Sequence, residues 1–148
     1  MTLVDALIGR RAYLDTNVFI YALNGFAPLV PALTRLFTLI DSGQLQAATS
    51  ELTLAELLVK PFRDADLAAQ QTCQDMLLGN SGLALMPITR PILIESARLR
   101  GSTSLKLPDA IHFATATLAG CDVFLTNDTG FRLPSAAASV VLLSELAA

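Results

Sequence analysis

The chain has 148 residues with 10 basic and 13 acidic side chains, a formal net charge of −3 and an apolar share of 53%. That length suits a single domain, 1–148, whose core needs no disulfide or structural metal, and the acidic balance argues against a broadly basic nucleic-acid footprint. The apolar share exceeds what a monomer of this size can hide, which predicts a partner or self-interface, and Cys73 and Cys121 lack the CxxC spacing or histidine cluster of a zinc site or redox pair.

At the N-terminus, Arg10 and Arg11 follow the first short apolar stretch, which does not fit a signal peptide. The first strand is expected at "AYLD" (12–15) and ends on Asp15, in "YLDTNVFIYAL". An Asp at a strand-to-helix junction needs no function, because it can cap the helix and suits the positive end of its dipole. The uncharged run from Thr16 to Thr34 has the length of a membrane span, but Asn17, Asn24, Gly25, Pro28 and Pro31 interrupt it. No spanning helix is expected there, and a cytoplasmic protein is.

Helical periodicity over 31–42 leads to a second strand at "LQAATS" (45–50) and then to "SELTLAELLVKP", a helix with Ser50 as its cap. On a wheel of about 100° per residue, Glu56 shares a narrow polar stripe with Thr53 and Lys60. One reading is a solvated Glu56–Lys60 pair at i,i+4. The other is a helix buried on nearly all sides, whose acid must then be compensated by a cation or metal.

A helix over 64–79, a strand at "LALMPI" (83–88) and a helix over 90–100 follow. Next comes an alanine-rich helix over 108–119, in which Pro108 suits the first position and Asp109 the first turn. His112, one turn on among Ile111, Phe113 and Ala114, reads more readily as a packing residue than as a ligand. The fourth strand, "DVFLT" (122–126), runs into Asp128 of "TNDTG", which is ordinary turn chemistry, and "SVVLLS" (139–144) is the fifth.

Strand-length apolar runs alternating with helical patterns predict a three-layer α/β/α sandwich with a central, mainly parallel sheet of about five strands. Ligands of such sheets sit beyond the carboxyl ends of the strands, where the strand order reverses. If the first and fourth strands are neighbours there, Asp15 and Asp128 meet. The acids then follow an order: one ends strand one, one lies on the helix after strand two, one opens the helix before strand four, and one follows strand four.

That order resembles the PIN-domain ribonucleases, and "YLDTNVFIYAL", "TLAELLVKP", "LKLPDAIHFATA" and "FLTNDTGF" look like their acidic boxes. The resemblance runs from Ala12 to about Ser144, and the length suits the VapC-like toxins of bacterial toxin–antitoxin pairs. It implies Asp15, Glu56, Asp109 and Asp128 as both catalytic and metal-binding residues. Asn17 and Thr126 would be secondary polar contacts, and His112 a further candidate. It also implies one or two Mg²⁺ or Mn²⁺ ions, an RNA substrate cut to 3′-hydroxyl and 5′-phosphate ends, a homodimer, and an antitoxin lying in a groove near the site.

The chemistry accords with that set. Crowded carboxylates repel one another until a hard dication removes the conflict, and such an ion can serve phosphodiester hydrolysis. Lys60, Arg63, Lys106 and Arg132 lie near the acids in sequence and are candidates for flanking phosphates, or else plain solubilising charges. The segment after Asp128, "TGFRLPSAAASV", departs from the pattern in being alanine-rich and poor in charge. A receiver-like domain would need an acid pair after strand one and a late lysine, and a haloacid-type phosphatase would need Asp-x-Asp where this chain has Asp-Thr-Asn. The remaining rival keeps the fold and acts only by binding, as a scaffold or a DNA-tethered complex.

Overall fold

The computed structural model describes residues 2–79, 82–131 and 138–147. Burial alternates along its central strands. In β1 (Arg11–Leu14), Ala12 and Leu14 join one core and Tyr13 the other; in β4 (Val123–Thr126), Val123 and Leu125 part from Phe124 in the same way. A strand buried on both faces needs a layer of helices on each.

The sheet has the order β3-β2-β1-β4-β5, with β2 at Gln46–Ser50, β3 at Leu83–Met86 and β5 at Ser139–Leu142, and every pairing is parallel. Helices α1 (Thr16–Asn24), α2 (Val30–Asp41), α3 (Glu51–Arg63) and α4 (Leu67–Leu78) supply the core of one face. Helices α5 (Arg90–Ser102) and α6 (Leu107–Leu118) supply the other, and α7 (Leu143–Leu146) follows β5. The chain steps from β1 to β3 with its helices on one face, then crosses to β4 with its helices on the other. Unlike-facing crossovers in opposite directions keep both connections right-handed and put the reversal point between β1 and β4. The three-layer, five-stranded parallel architecture read from the sequence is the one observed.

Several boundaries differ from the sequence reading. Helix α3 passes through Pro61 to Arg63 instead of stopping at the proline. The ring removes the amide that would bond the Leu57 carbonyl, and the Cys73 thiol contacts that carbonyl at 3.9 Å. Helix α4 starts at Leu67, not at 64, because Ala65 sits at φ +52° and Asp66 caps the new helix by accepting from the Ala69 amide at 3.0 Å. Nor is α3 buried on nearly all sides. One stripe, Thr53, Leu57 and Pro61, packs inward, while Val59 is 54% and Phe62 60% exposed.

No single helix among the described residues is long and apolar enough to cross a membrane. Helix α1 and the segment Ala27–Asp41 reach that length and composition only together, and they are bent by 110°.

Candidate active site

Asp15 follows the last residue of β1 and caps α1, its Oδ1 accepting from the Thr16 amide at 2.8 Å. Its own amide donates to the carbonyl of Leu125 on β4, so the first acid is anchored at the reversal point of the sheet. Oδ2 accepts from the Thr126 hydroxyl at 2.8 Å and from Asn17 Nδ2 at 3.2 Å. Asn17 completes a clasp: its Nδ2 also donates to Thr126 Oγ1 at 2.9 Å, and its Oδ1 accepts from the Asn127 amide at 3.0 Å. Asn17 and Thr126 thus hold the turn after β1 to the exit of β4, with the Asp15 carboxylate between them.

Glu56, in the second turn of α3, does not pair with Lys60. Its Oε1 accepts from Thr16 Oγ1 at 2.8 Å and lies 2.6 Å from His112 Nε2. The i,i+4 pair on this helix is Lys60–Asp64 at 2.6 Å, an exposed contact of little energetic consequence. Asp109 opens α6 at the same rim and has no hydrogen-bond partner among the described residues. Asp128 is exposed and shapes its own turn, accepting at Oδ1 from the Gly130 amide at 2.8 Å while its amide donates to Thr126 Oγ1. Arg132 lies outside the described residues.

The four carboxyls feel one another. Burial pushes Asp109 above the ordinary carboxylate value, and the charges of Asp15, Asp128 and Glu56 push it further, against the pull of His112. Burial likewise raises Asp15, opposed by His112, Thr126 and the Thr16 amide and reinforced by Glu56. For Glu56 burial pushes upward, but hydrogen bonds from His112 and Thr16 and the His112 charge outweigh it and hold the carboxyl below its usual value. Among the described residues, however, no group of three or more His, Cys, Asp or Glu side chains is arranged to hold a metal ion. The donor chemistry fits a hard, oxygen-seeking dication. Glu56 and Asp128 are each held by local hydrogen bonds, which leaves Asp109 as the uncommitted carboxylate.

Beside Glu56, a cavity of ≈ 420 Å³ opens between α1, α3 and α4, lined by Ile20, Leu23, Leu57, Lys60 and Cys73 among others. Four residues that the sequence reading did not select belong to the hydrogen-bonded wall behind the acids: Tyr13, Thr16, Thr49 and Thr53. A hint was present in the sequence, since Tyr13 and Thr16 flank the Leu14–Asp15 step and Thr49 and Thr53 are spaced i,i+4.

Residues 12–136 match the family model described as PIN domain. The fold is similar to that of a chain in a toxin-antitoxin complex from Klebsiella pneumoniae, at TM-score 0.66 and 26% identity, covering 89% of this chain and 97% of that one. It is also similar to VapBC2 from Rickettsia felis bound to a DNA fragment from their promoter, at TM-score 0.69 and 20% identity, over 89% of this chain and 98% of that one. A third likeness is to the sarcin-ricin loop cleaving toxin VapC20 of Mycobacterium tuberculosis, at TM-score 0.61 and 16% identity, over 76% of this chain and 86% of that one. No curated relative matches the chain.

Proposed function

This chain belongs to the PIN domain family, and from that premise we propose that it is a metal-dependent endoribonuclease acting as the toxin of a toxin–antitoxin pair. The observation that supports this reading is the state of Asp109: a carboxylate without a hydrogen-bond partner among the described residues, raised by burial and by the charges of Asp15, Asp128 and Glu56. A divalent cation relieves that repulsion.

Asp15 and Asp109 are the principal candidates to hold Mg²⁺ or Mn²⁺, with Glu56 and Asp128 as further ligands or as groups that orient water. One or two such ions, when bound, polarise the scissile phosphate, make water a better nucleophile and stabilise the leaving oxygen. The chain does the rest. Thr126, Asn17 and the Thr16 amide keep the Asp15 carboxylate in one orientation. Glu56, with Oε1 occupied by its two donors, offers Oε2 to the attacking water. Water adds to phosphorus, the 3′ oxygen leaves and takes up a proton, and the products carry 3′-hydroxyl and 5′-phosphate ends. Lys60 is committed to Asp64, so a role on flanking phosphates requires that exposed pair to open.

The partner proposed is a small antitoxin, as in the complexes from Klebsiella pneumoniae and Rickettsia felis. Its helix or tail would lie in the cavity beside Glu56, where a basic side chain can reach the acids, and the exposed Val59 and Phe62 of α3 add apolar surface for it or for a second copy. A second reading, a catalytically silent PIN-fold protein that acts through binding, is favoured by one observation: no three ligands are arranged for a metal among the described residues.

The deciding experiment is cleavage of total bacterial RNA by antitoxin-free protein in Mg²⁺, Mn²⁺ or excess chelator, beside the Asp15→Asn, Asp109→Asn double variant. Discrete fragments that require both metal and acids support the nuclease. A folded wild type that leaves RNA intact in every condition supports the silent binder.

A further inference from the structure

We propose that His112 is a positioning residue: with Tyr13 and Thr16 it fixes the Glu56 carboxylate toward the pocket, and it acts on the reaction only through that carboxylate. This rests on the reading of Glu56 as part of the hydrolytic site. His112 is 1% exposed. Nδ1 lies 2.7 Å from the Tyr13 hydroxyl, and Nε2 lies 2.6 Å from Glu56 Oε1, 3.2 Å from Thr16 Oγ1 and 3.8 Å from Asp15 Oδ1. A buried imidazole bonded at both nitrogens is a fixed strut.

One arrangement of the surrounding protons places two donors on Glu56. Thr49 donates to the Leu14 carbonyl at 2.8 Å, which leaves its oxygen to accept from Thr53 at 2.7 Å. The Thr16 hydroxyl, 3.2 Å from Thr53, gives its proton to the nearer acceptor, Glu56 at 2.8 Å. In the tautomer protonated on Nε2, the ring accepts from Tyr13 at Nδ1 and donates to Glu56. Two donors from two different helices converge on Oε1. The remaining oxygen of Glu56 alone is left to the pocket.

The alternative for Glu56 is visible on its own helix. Lys60 lies one turn away, at the spacing that stabilises Glu–Lys pairs, and is 80% exposed in its side chain, yet it pairs with Asp64. Without His112, Glu56 would be a half-exposed helix acid with a cation one turn away and the Thr16 hydroxyl as its one remaining donor. The helix that carries His112 also carries Asp109 three residues earlier, so one rigid element sets the position of both acids.

The test has two readouts. Long-range ¹H–¹⁵N spectra of the metal-free, untagged protein report on a single imidazole, because the chain has one histidine. Glu56→Gln is expected to move the Nε2 resonance and Tyr13→Phe the Nδ1 resonance; an imidazole indifferent to Glu56→Gln overturns the proposal. In RNA cleavage, His112→Phe is expected to lower kcat about 10²-fold with KM little changed, and added to Glu56→Gln it should cost nothing further. His112→Gln, whose amide nitrogen can stand near the position of Nε2, should recover about tenfold. A folded His112→Phe protein with wild-type kcat, or losses from the two sites that multiply, overturns it. Should the wild type cut no RNA, the nuclease reading fails, and the imidazole shift alone then decides whether His112 holds Glu56.

Discussion

Tyr13→Phe isolates one hydroxyl. The ring itself is retained, including its stacking on Phe124 at a centroid separation of 5.2 Å and 6° between planes, so little packing is lost. What disappears is a 2.7 Å hydrogen bond to His112 between two side chains that are almost wholly buried, together with the hydroxyl's contacts to the Thr49 side chain and the Ser50 backbone. The Nδ1 of His112 then has no partner and no water, a cost of about 1–3 kcal/mol. For 148 residues the unfolding entropy near the melting temperature is about 0.3 kcal/mol/K. The expected loss in Tm is therefore about 3–10 °C, read by circular dichroism at pH 7, with urea denaturation as a second measure. Tyr21→Phe, on the half-buried ring that meets Phe26, serves as the control and should shift stability by less than about 0.5 kcal/mol. The gap also has a pH signature. Burial first, and the Asp15 charge second, hold the Tyr13 hydroxyl well above its ordinary value. A group whose folded pKa is raised contributes fully below its unfolded value, about 10, and its contribution is lost as pH rises through the folded one. The difference between wild type and Tyr13→Phe should be flat through neutral pH and narrow above about pH 10. A variant that melts within about 1 °C of wild type, or a control that loses as much, would refute the buried-strut argument.

Three further outcomes are expected. Mg²⁺ or Mn²⁺ at a hundredfold excess over Kd should stabilise the wild type by about 2.7 kcal/mol, near 9 °C by scanning fluorimetry, and should stabilise the Asp15→Asn, Asp109→Asn variant by less than a third of that; equal gains would remove both acids from the ligand set. Because burial raises Asp15 and Asp109, they take up protons earlier than free carboxyls as pH falls, so metal-dependent stabilisation should fade while pH is still above about 3.9, and a midpoint at or below that value would contradict the crowding. Gly82→Ala would put a methyl 2.3 Å from the Ile40 carbonyl oxygen just before β3, so that strand must shift at a cost of about 1–3 kcal/mol in urea unfolding; a neutral result would mean the chain yields there freely.

The strands were legible because a parallel sheet buried on both faces writes itself as short apolar runs, and Asp15, Asp109 and Ser50 were legible because helix starts depend on nearby residues. The partner of Glu56 was not. Helical spacing points to Lys60, four residues on, whereas the actual contact is 56 residues away on α6, and nothing within α3 carries that information. The exposure of Val59 and Phe62 was hidden for a related reason: a wheel ranks faces by polarity, but Thr53, Leu57 and Pro61 face inward because that stripe meets the neighbouring elements. His112, read among apolar neighbours as a satisfied packing residue, is buried and bonded at both ring nitrogens, and what the sequence did not carry is that those bonds go to β1 and α3. The helical segment quoted from the sequence ended at Pro61, whereas α3 runs on to Arg63, with the Cys73 thiol 3.9 Å from the Leu57 carbonyl that the proline leaves without an amide.

The pairing of β1 with β4 has a consequence in time. Asp15 depends on Leu125 and Thr126 for its amide and carboxylate contacts, so the first acid to be synthesised has no housing until the fourth strand exists. At ribosomal rates of about 5–20 residues per second, the stretch between those strands takes roughly 5–20 s to emerge. Over that interval one edge of β1 stands open, and an open parallel edge invites aggregation and proteolysis. A polypeptide that stops before β4 therefore carries its first carboxylate without its β4 contacts, its last one absent, and an open strand edge.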